Sequence, residues 1–193
     1  MDTNQLFLET AEKQFIYYKQ LGERAMAQLE PEQLFQTWNE DTNSIAVIVK
    51  HLWGNMRSRW TDVLTTDGEK PWRERDAEFV GDFHTREELL AKWEEGWGCL
   101  LGALRSITPE QMSRIIYIRN EGHTIMEAIM RQLAHYPYHV GQIIHIAKML
   151  KQASWDSLSI PRSGSDSYNK GKFSKPKTTK HFTEDELHME KRD

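Results

Sequence analysis

The stretch Met126–Leu150, MEAIMRQLAHYPYHVGQIIHIAKML, decides the fold. Together with Ile125, its apolar residues Ile129, Leu133, Val140, Ile144 and Ala147 recur at helical spacing, so the segment reads as one long buried helix. His135 and His139 lie four apart, which at about 100° per residue puts both imidazoles on one face, with Gln142 on the same stripe. Two histidines one turn apart hold an ion only with help from elsewhere in the chain, and the candidate third ligand is His51. Thr124 followed by Glu127 forms a capping box that opens the helix. Pro137, between the histidines, removes one backbone hydrogen bond and crowds the Leu133 carbonyl, so a kink or local widening is expected there.

Three more helices are legible around this one. From Asp2 to Leu29, the residues Leu6, Ala11, Phe15, Tyr18, Leu21, Ala25 and Leu29 mark the inner face of an amphipathic helix. Pro31 then favours a turn, and a short connector returns Trp38 to the core. Asn43 or Ser44 caps a second helix, IAVIVKHLWGNMRSRWTDVL (Ile45–Leu64), which is apolar nearly all round in its first half and takes His51 into burial. Stepping from His51 at the helical angle places Asn55, Ser58 and Asp62 on one polar stripe, opposite Trp53 and Trp60. Thr65–Val80, with Asp67-Gly68, Pro71 and many charges, reads as a long ordered loop. Thr85 and Glu88 form a capping box before a third helix with Leu89, Trp93, Trp97, Leu100, Leu101 and Leu104 inside, and its Gly96, Gly98 and Gly102 permit close helix approach.

Ile115–Ile118 is expected to be extended, with Asn120-Glu121-Gly122 as a turn. Beyond Lys151 the chain becomes rich in Ser, Gly, Pro and Lys and reads as a non-helical tail. Trp155, Leu158, Ile160 and Tyr168 are apolar enough to dock as a strap, which gives one domain over 1–172 and a polar tail over 173–193. Thr183 with Glu186 is a candidate cap for a last short helix, and His84, His123, His181 and His188 fall in loops or tail. Four helices, two long connections and no convincing strand pair predict an all-α four-helix bundle.

Composition excludes several function classes. A net charge of −4 gives no electrostatic reason to bind nucleic acid or an anionic membrane, and no apolar run is long enough to suggest a span. A single cysteine, Cys99, rules out an internal disulfide and fits a reducing cytoplasm. Seven tryptophans and several apolar helix faces exceed what one small core covers, so a symmetric homodimer is expected.

An N-terminal helix, a second helix bearing His51, and a late helix bearing His135, His139, Gly141 and Gln142 as HxxxHxGQ together resemble the DinB/YfiT-like superfamily of metalloenzymes. Lys50–Phe79, KHLWGNMRSRWTDVLTTDGEKPWRERDAEF, and Ser159–Asn169, SIPRSGSDSYN, are similar to an uncharacterised bacterial DinB-like subgroup. The resemblance runs from the first helix to about Lys172. It implies an up-down-down-up bundle, usually homodimeric, that binds a divalent metal through three histidines, and relatives that are transferases or isomerases using low-molecular-weight thiols. Tyr138 and Val140, on either side of His139, depart from the commonest pattern, in which a second histidine and an arginine flank the last ligand. The ligands survive that departure; the substrate does not carry over.

Three neutral imidazoles suit zinc or nickel with open positions for a small molecule. Asn55, Asp62 and Gln142 are candidates to support the ligands or touch substrate, and Arg162, beside Ser163-Gly164-Ser165, is a candidate for an anionic group. Arg57, Arg59, Arg73 and Arg75 offer the same chemistry, with surface salt bridging as their alternative role. Two functions stay open: a divalent-metal-dependent enzyme, in particular a thiol-dependent S-transferase or related hydrolase or isomerase, and a non-catalytic stress-response or small-ligand-binding protein with a structural metal or none. By spacing alone HxxxH is a weak motif, because a histidine in a bundle core is more often a hydrogen-bonded structural residue.

Overall fold

Asp2, Ser44, Thr85 and Thr124 each accept a hydrogen bond from a first-turn amide and start the four long helices of the computed structural model, which describes residues 2–187. These are α1 (Thr3–Ala27), α2 (Ile45–Trp60), α3 (Arg86–Ser106) and α4 (Ile125–Lys151). No helix among the described residues is long and apolar enough to cross a membrane.

Side-chain contacts fix the directions. Arg57 pairs with Glu95 at 3.0 Å and Thr61 meets Cys99 at 3.5 Å, so α2 and α3 run parallel. Glu12 pairs with Arg105 and Lys19 with Glu94, so α1 runs against α3. The start of α1 touches the segment before α4, through Asn4 and the Pro109 carbonyl, and its end touches the segment after α4, through Gln28 and the Asp156 carbonyl. That makes α1 and α4 parallel. The bundle is therefore up-down-down-up, and the parallel pair α2 and α3 needs a return connection the length of the bundle, about 24 Å at 1.5 Å per residue. Residues 61–85 supply it.

The centre is aromatic. Phe15, Trp93, Trp97 and Tyr136 are buried, with Trp97 5.4 Å from Trp93 and 5.9 Å from Tyr136 between ring centroids. Trp93 fits because Gly22 lacks a Cβ, which would lie 2.7 Å from the indole. Gly96 likewise lets α3 approach Trp53 on α2, whereas Gly98 and Gly102 face open space. Trp38 does not return to the core; it is 49% exposed.

α2 ends at Trp60, four residues before the expected Leu64, and Asp62 beyond it has φ 49°. Residues 115–124 form an antiparallel hairpin, β1 (Ile115–Ile118) and β2 (Glu121–Thr124), so a strand pair is present and His123 lies on a strand. Its turn falls on Arg119 and Asn120, at φ 56° and 62°, one step earlier than Asn120-Glu121-Gly122. The Asp67 carboxylate accepts both turn amides at 2.8 and 2.9 Å and so ties the long connection to the hairpin.

Pro137 leaves α4 an unbroken α-helix without the expected widening. The tail, expected to be non-helical before its last few residues, contains α5 (Ser165–Phe173), while the short α6 (Glu184–Leu187) lies where a last helix was expected after Thr183. α5 buries no residue, so no apolar stripe announced it; Asp166 in its first turn and Lys170 and Lys172 in its last instead complement the helix dipole. Of the strap residues, Leu158 is buried and Trp155 half-buried against the core, while Ile160 and Tyr168 are each 42% exposed. His188 lies outside the described residues.

Candidate metal centre

α4 presents Gln132, His135, His139 and Gln142 at steps of three, four and three, which is one stripe of a helix. The Gln132 side-chain oxygen lies 3.1 Å from His135 Nδ1, and that of Gln142 lies 2.7 Å from His139 Nδ1. α2 supplies His51 from the facing side, and Glu78 Oε2 lies 2.9 Å from its Nδ1. Glu78 reaches there from the long connection, in a 3₁₀ turn at Asp76–Phe79. Arg73 holds it by a two-pronged pair, Nε to Oε1 at 2.7 Å and Nη2 to Oε2 at 3.0 Å. Lys50 of α2 fastens the same turn by donating to the carbonyls of Ala77 and Val80.

Gly54, one turn beyond His51, makes this approach possible, since a Cβ there would lie 2.8 Å from Glu78 Cδ. Phe79 stacks on the His51 ring at 5.2 Å. Behind the histidines, Asn55 accepts from the Tyr136 hydroxyl at 3.1 Å, and that hydroxyl accepts from Trp60 Nε1 at 3.0 Å. Complete burial holds the Tyr136 phenol protonated, well above its ordinary value.

These contacts settle the tautomers. A carboxylate and two amide oxygens are acceptors only, so each histidine carries its proton on Nδ1 and turns an Nε2 lone pair inward. The lone pairs meet: His135 Nε2 is 3.4 Å from His51 Nε2 and 3.1 Å from His139 Nε2. Ligand nitrogens of the three residues all lie within 4.8 Å of one another. With neutral rings no proton sits between them, so the arrangement is repulsive unless a cation is shared. Nitrogens around a tetrahedral zinc stand roughly 3.3 Å apart, given bonds of 2.0–2.1 Å. The donor set and its spacing fit a divalent ion.

Electrostatics keeps His135 and His139 neutral. Burial, then the neighbouring His139 and His51 and the guanidiniums of Arg131 and Arg59, lower the His135 pKa to about 3. Burial lowers His139 too, against the hydrogen bond it donates to Gln142. Burial works to raise Glu78, but the hydrogen bonds of His51 and Arg73 outweigh it and hold the carboxyl below its usual range.

A cavity of about 320 Å³ opens over the three histidines. Asn55 and Gln132 line it. Gln142 does not line it; its side chain is tied to His139 and to the Tyr138 hydroxyl at 3.1 Å. Two other sequence candidates are elsewhere. Asp62 is exposed beyond the end of α2, in a depression with Cys99, because the helix that would have put it on the His51 stripe has already ended. Arg162 is exposed in the turn before α5 and does not line the cavity.

Glu78 had no signal in the sequence, being 27 residues from its partner. Gln132 did have one, since it continues the stripe of His135, His139 and Gln142 by one more step. Of the arginines, Arg73 is committed to Glu78 rather than free on the surface, and Arg57 pairs with Glu95.

A family model described as a protein of unknown function, DUF1572, matches residues 2–164, nearly the whole bundle. The chain belongs to the DUF1572 family. It is a DinB-like family, which agrees with the up-down-down-up order and the placing of the histidines. No curated protein and no solved structure matches the chain at a significant level.

Proposed function

We propose that this DUF1572 protein is a divalent-metal-dependent enzyme of small-molecule chemistry, a thiol-dependent S-transferase or a related hydrolase or isomerase, with His51, His135 and His139 as metal ligands. The carrying observation is the set of inward Nε2 atoms, each backed by an acceptor on Nδ1. A carboxylate or amide behind each ligand is what a metal-binding imidazole needs to fix its tautomer and direction. When bound, zinc or nickel supplies Lewis-acid activation of a thiol or a water molecule. The chain's own residues orient the ligands, through Glu78, Gln132 and Gln142, and wall the cavity, through Phe79 and Asn55.

The second reading, a structural ion in a non-catalytic binding protein, calls for a closed site with a fourth protein ligand. Among the described residues no fourth His, Cys, Asp or Glu joins the group, and a cavity stands over it. Glu78 is spent on the far nitrogen of His51. The openness favours an enzyme.

We place the protein in the cytoplasm as a homodimer. Trp38, Tyr138 and Met149, 49%, 62% and 48% exposed, line a groove of about 670 Å³ along α4, apolar surface of the kind a second copy covers.

The test is a screen of zinc- and nickel-loaded protein against pairs of small thiols and electrophiles. Metal-dependent consumption of a thiol that is lost in His139→Ala supports transfer chemistry. A protein that retains its ion and turns over nothing favours the structural reading.

A further inference from the structure

Arginine gathers at the mouth of the histidine cavity from four parts of the chain. Arg59 comes from α2, Arg73 and Arg75 from the long connection, Arg119 from the hairpin turn and Arg131 from α4, one turn before His135. No carboxylate lines the cavity. Two carboxylates contact these guanidiniums from outside it: Glu69, which meets Arg59, Arg73 and Arg119, and Glu78, which meets Arg73. Five positive charges against two negative ones leave an excess of three before any metal ion is counted.

Hydrogen bonding shows the same surplus of donors. Arg59 Nε is buried without an acceptor, and so is Arg73 Nη1, which only approaches Glu69 at 3.5 Å. Arg75 and Arg131 are exposed and make no ion pair among the described residues. Solvated surface arginines ordinarily sit near acidic neighbours or spread apart, because like charges brought together repel. Here the Asp67 and Glu69 contacts hold the hairpin turn so that Arg119 is brought toward the other four.

We propose that the cavity binds an oxyanion, a carboxylate or phosphate group of the substrate, with Arg131 and Arg75 as its free arms and Arg119 at the rim. This rests on the metal-centre reading for its meaning, since it names the substrate class of that site: a small anionic molecule whose charged end lies on the arginines and whose reactive end reaches the histidines. A volume of about 320 Å³ is at the small end of ligand pockets and suits such a molecule. The anion site itself needs no ion, so it is tested separately from metal binding.

The experiment is calorimetric titration of the full chain, metal-free and zinc-loaded, with inorganic phosphate and with succinate at fixed pH and two ionic strengths. The variants are Arg75→Gln, Arg131→Gln and the double variant, with Arg105→Gln, at the end of α3, outside the cavity lining and paired to Glu12, as the control. Metal-free wild type is expected to bind at least one probe, more weakly at high salt, and tighter binding of phosphate or of succinate tells which oxyanion the cavity prefers. Each single variant is expected to lose about tenfold, as charged hydrogen bonds do, with circular dichroism and zinc content unchanged. Arg105→Gln is expected to match wild type. No binding of either probe to metal-free wild type at millimolar concentration, or equal affinity in wild type and the double variant, overturns the proposal. A protein that fails to bind zinc but binds these anions through Arg75 and Arg131 retires the metal reading and leaves the anion site standing.

Discussion

Glu78 and His51, 27 residues apart in sequence and both buried, meet at 2.9 Å between Oε2 and Nδ1, and Gly54 is the reason they can. A methyl group at Gly54 would occupy the space that Glu78 fills. Gly54→Ala sets two effects against each other: helix propensity favours Ala by about 1 kcal/mol, while separating a buried carboxylate from its partners costs about 3–5 kcal/mol. The second wins. The substitution is expected to lower the unfolding free energy by a few kcal/mol in a urea titration.

Glu78→Gln keeps an oxygen facing His51 but weakens the anchor of Arg73 and the basicity of the imidazole. Supporting residues of this kind are worth about 10–100-fold in metal affinity. Competition with a chromogenic chelator should show a loss in that range for Glu78→Gln and a similar one for Gln132→Leu. Unchanged affinity in both would mean that the acceptors behind the histidines do not matter to the ion.

The stripe on α4 was legible because a helix repeats its face every three to four residues and both histidines lie within one turn. His51 was legible because it stands in an apolar helix with no other reason for an imidazole. What sequence could not disclose is held by contacts across loops. Glu78 sits among many charges in a connection with no period, and only the folded chain shows which one turns inward. Asp62 illustrates the reverse error: a helical angle was extended past Trp60, where the helix ends and the backbone takes a positive φ. α5 was missed because a helix without a buried face leaves no periodic trace, and the hairpin because Arg119-Asn120 is an unusual pair for a turn that needs two positive φ values.

Acidification should weaken the metal-free protein. His135, with its pKa lowered to about 3, and His139, also lowered, stay neutral in the fold while the unfolded chain protonates near 6.5. Above that value both states are neutral and the histidines make no difference. Below it the unfolded state binds more protons, so stability falls as pH drops from about 6.5 towards the folded values. The full slope is about 1.4 kcal/mol per pH unit for each histidine, and solvent screening of these half-buried rings reduces it. Urea midpoints from pH 7 to pH 5 should fall in wild type and fall less in the His135→Gln, His139→Gln double variant.

Tyr136→Phe should be costly without touching a ligand. Among the described residues the hydroxyl alone links Trp60 Nε1 to Asn55 Oδ1, and its removal leaves both buried groups short of a partner. The expected loss is about 1–3 kcal/mol, which for a chain of this size is a fall in Tm of several degrees. Calorimetry that finds the variant as stable as wild type would show that water replaces the hydroxyl.

Assembly is tested by light scattering at micromolar concentration, where a homodimer of the 22.7 kDa chain is expected. Tyr138→Glu and Met149→Glu, which place charge in the apolar groove on α4, should shift it to monomer. A monomeric wild type would contradict dimerisation.

Metal analysis of protein purified without a histidine tag bears most directly on the three-histidine centre. Elemental analysis by mass spectrometry should find about one divalent ion per chain in wild type and in His145→Ala, whose side chain is outside the group. His51→Ala, His135→Ala and His139→Ala should each lose most of it while circular dichroism still reports the helices. Equal metal content in all four variants, or none in wild type after incubation with zinc or nickel, would contradict the account.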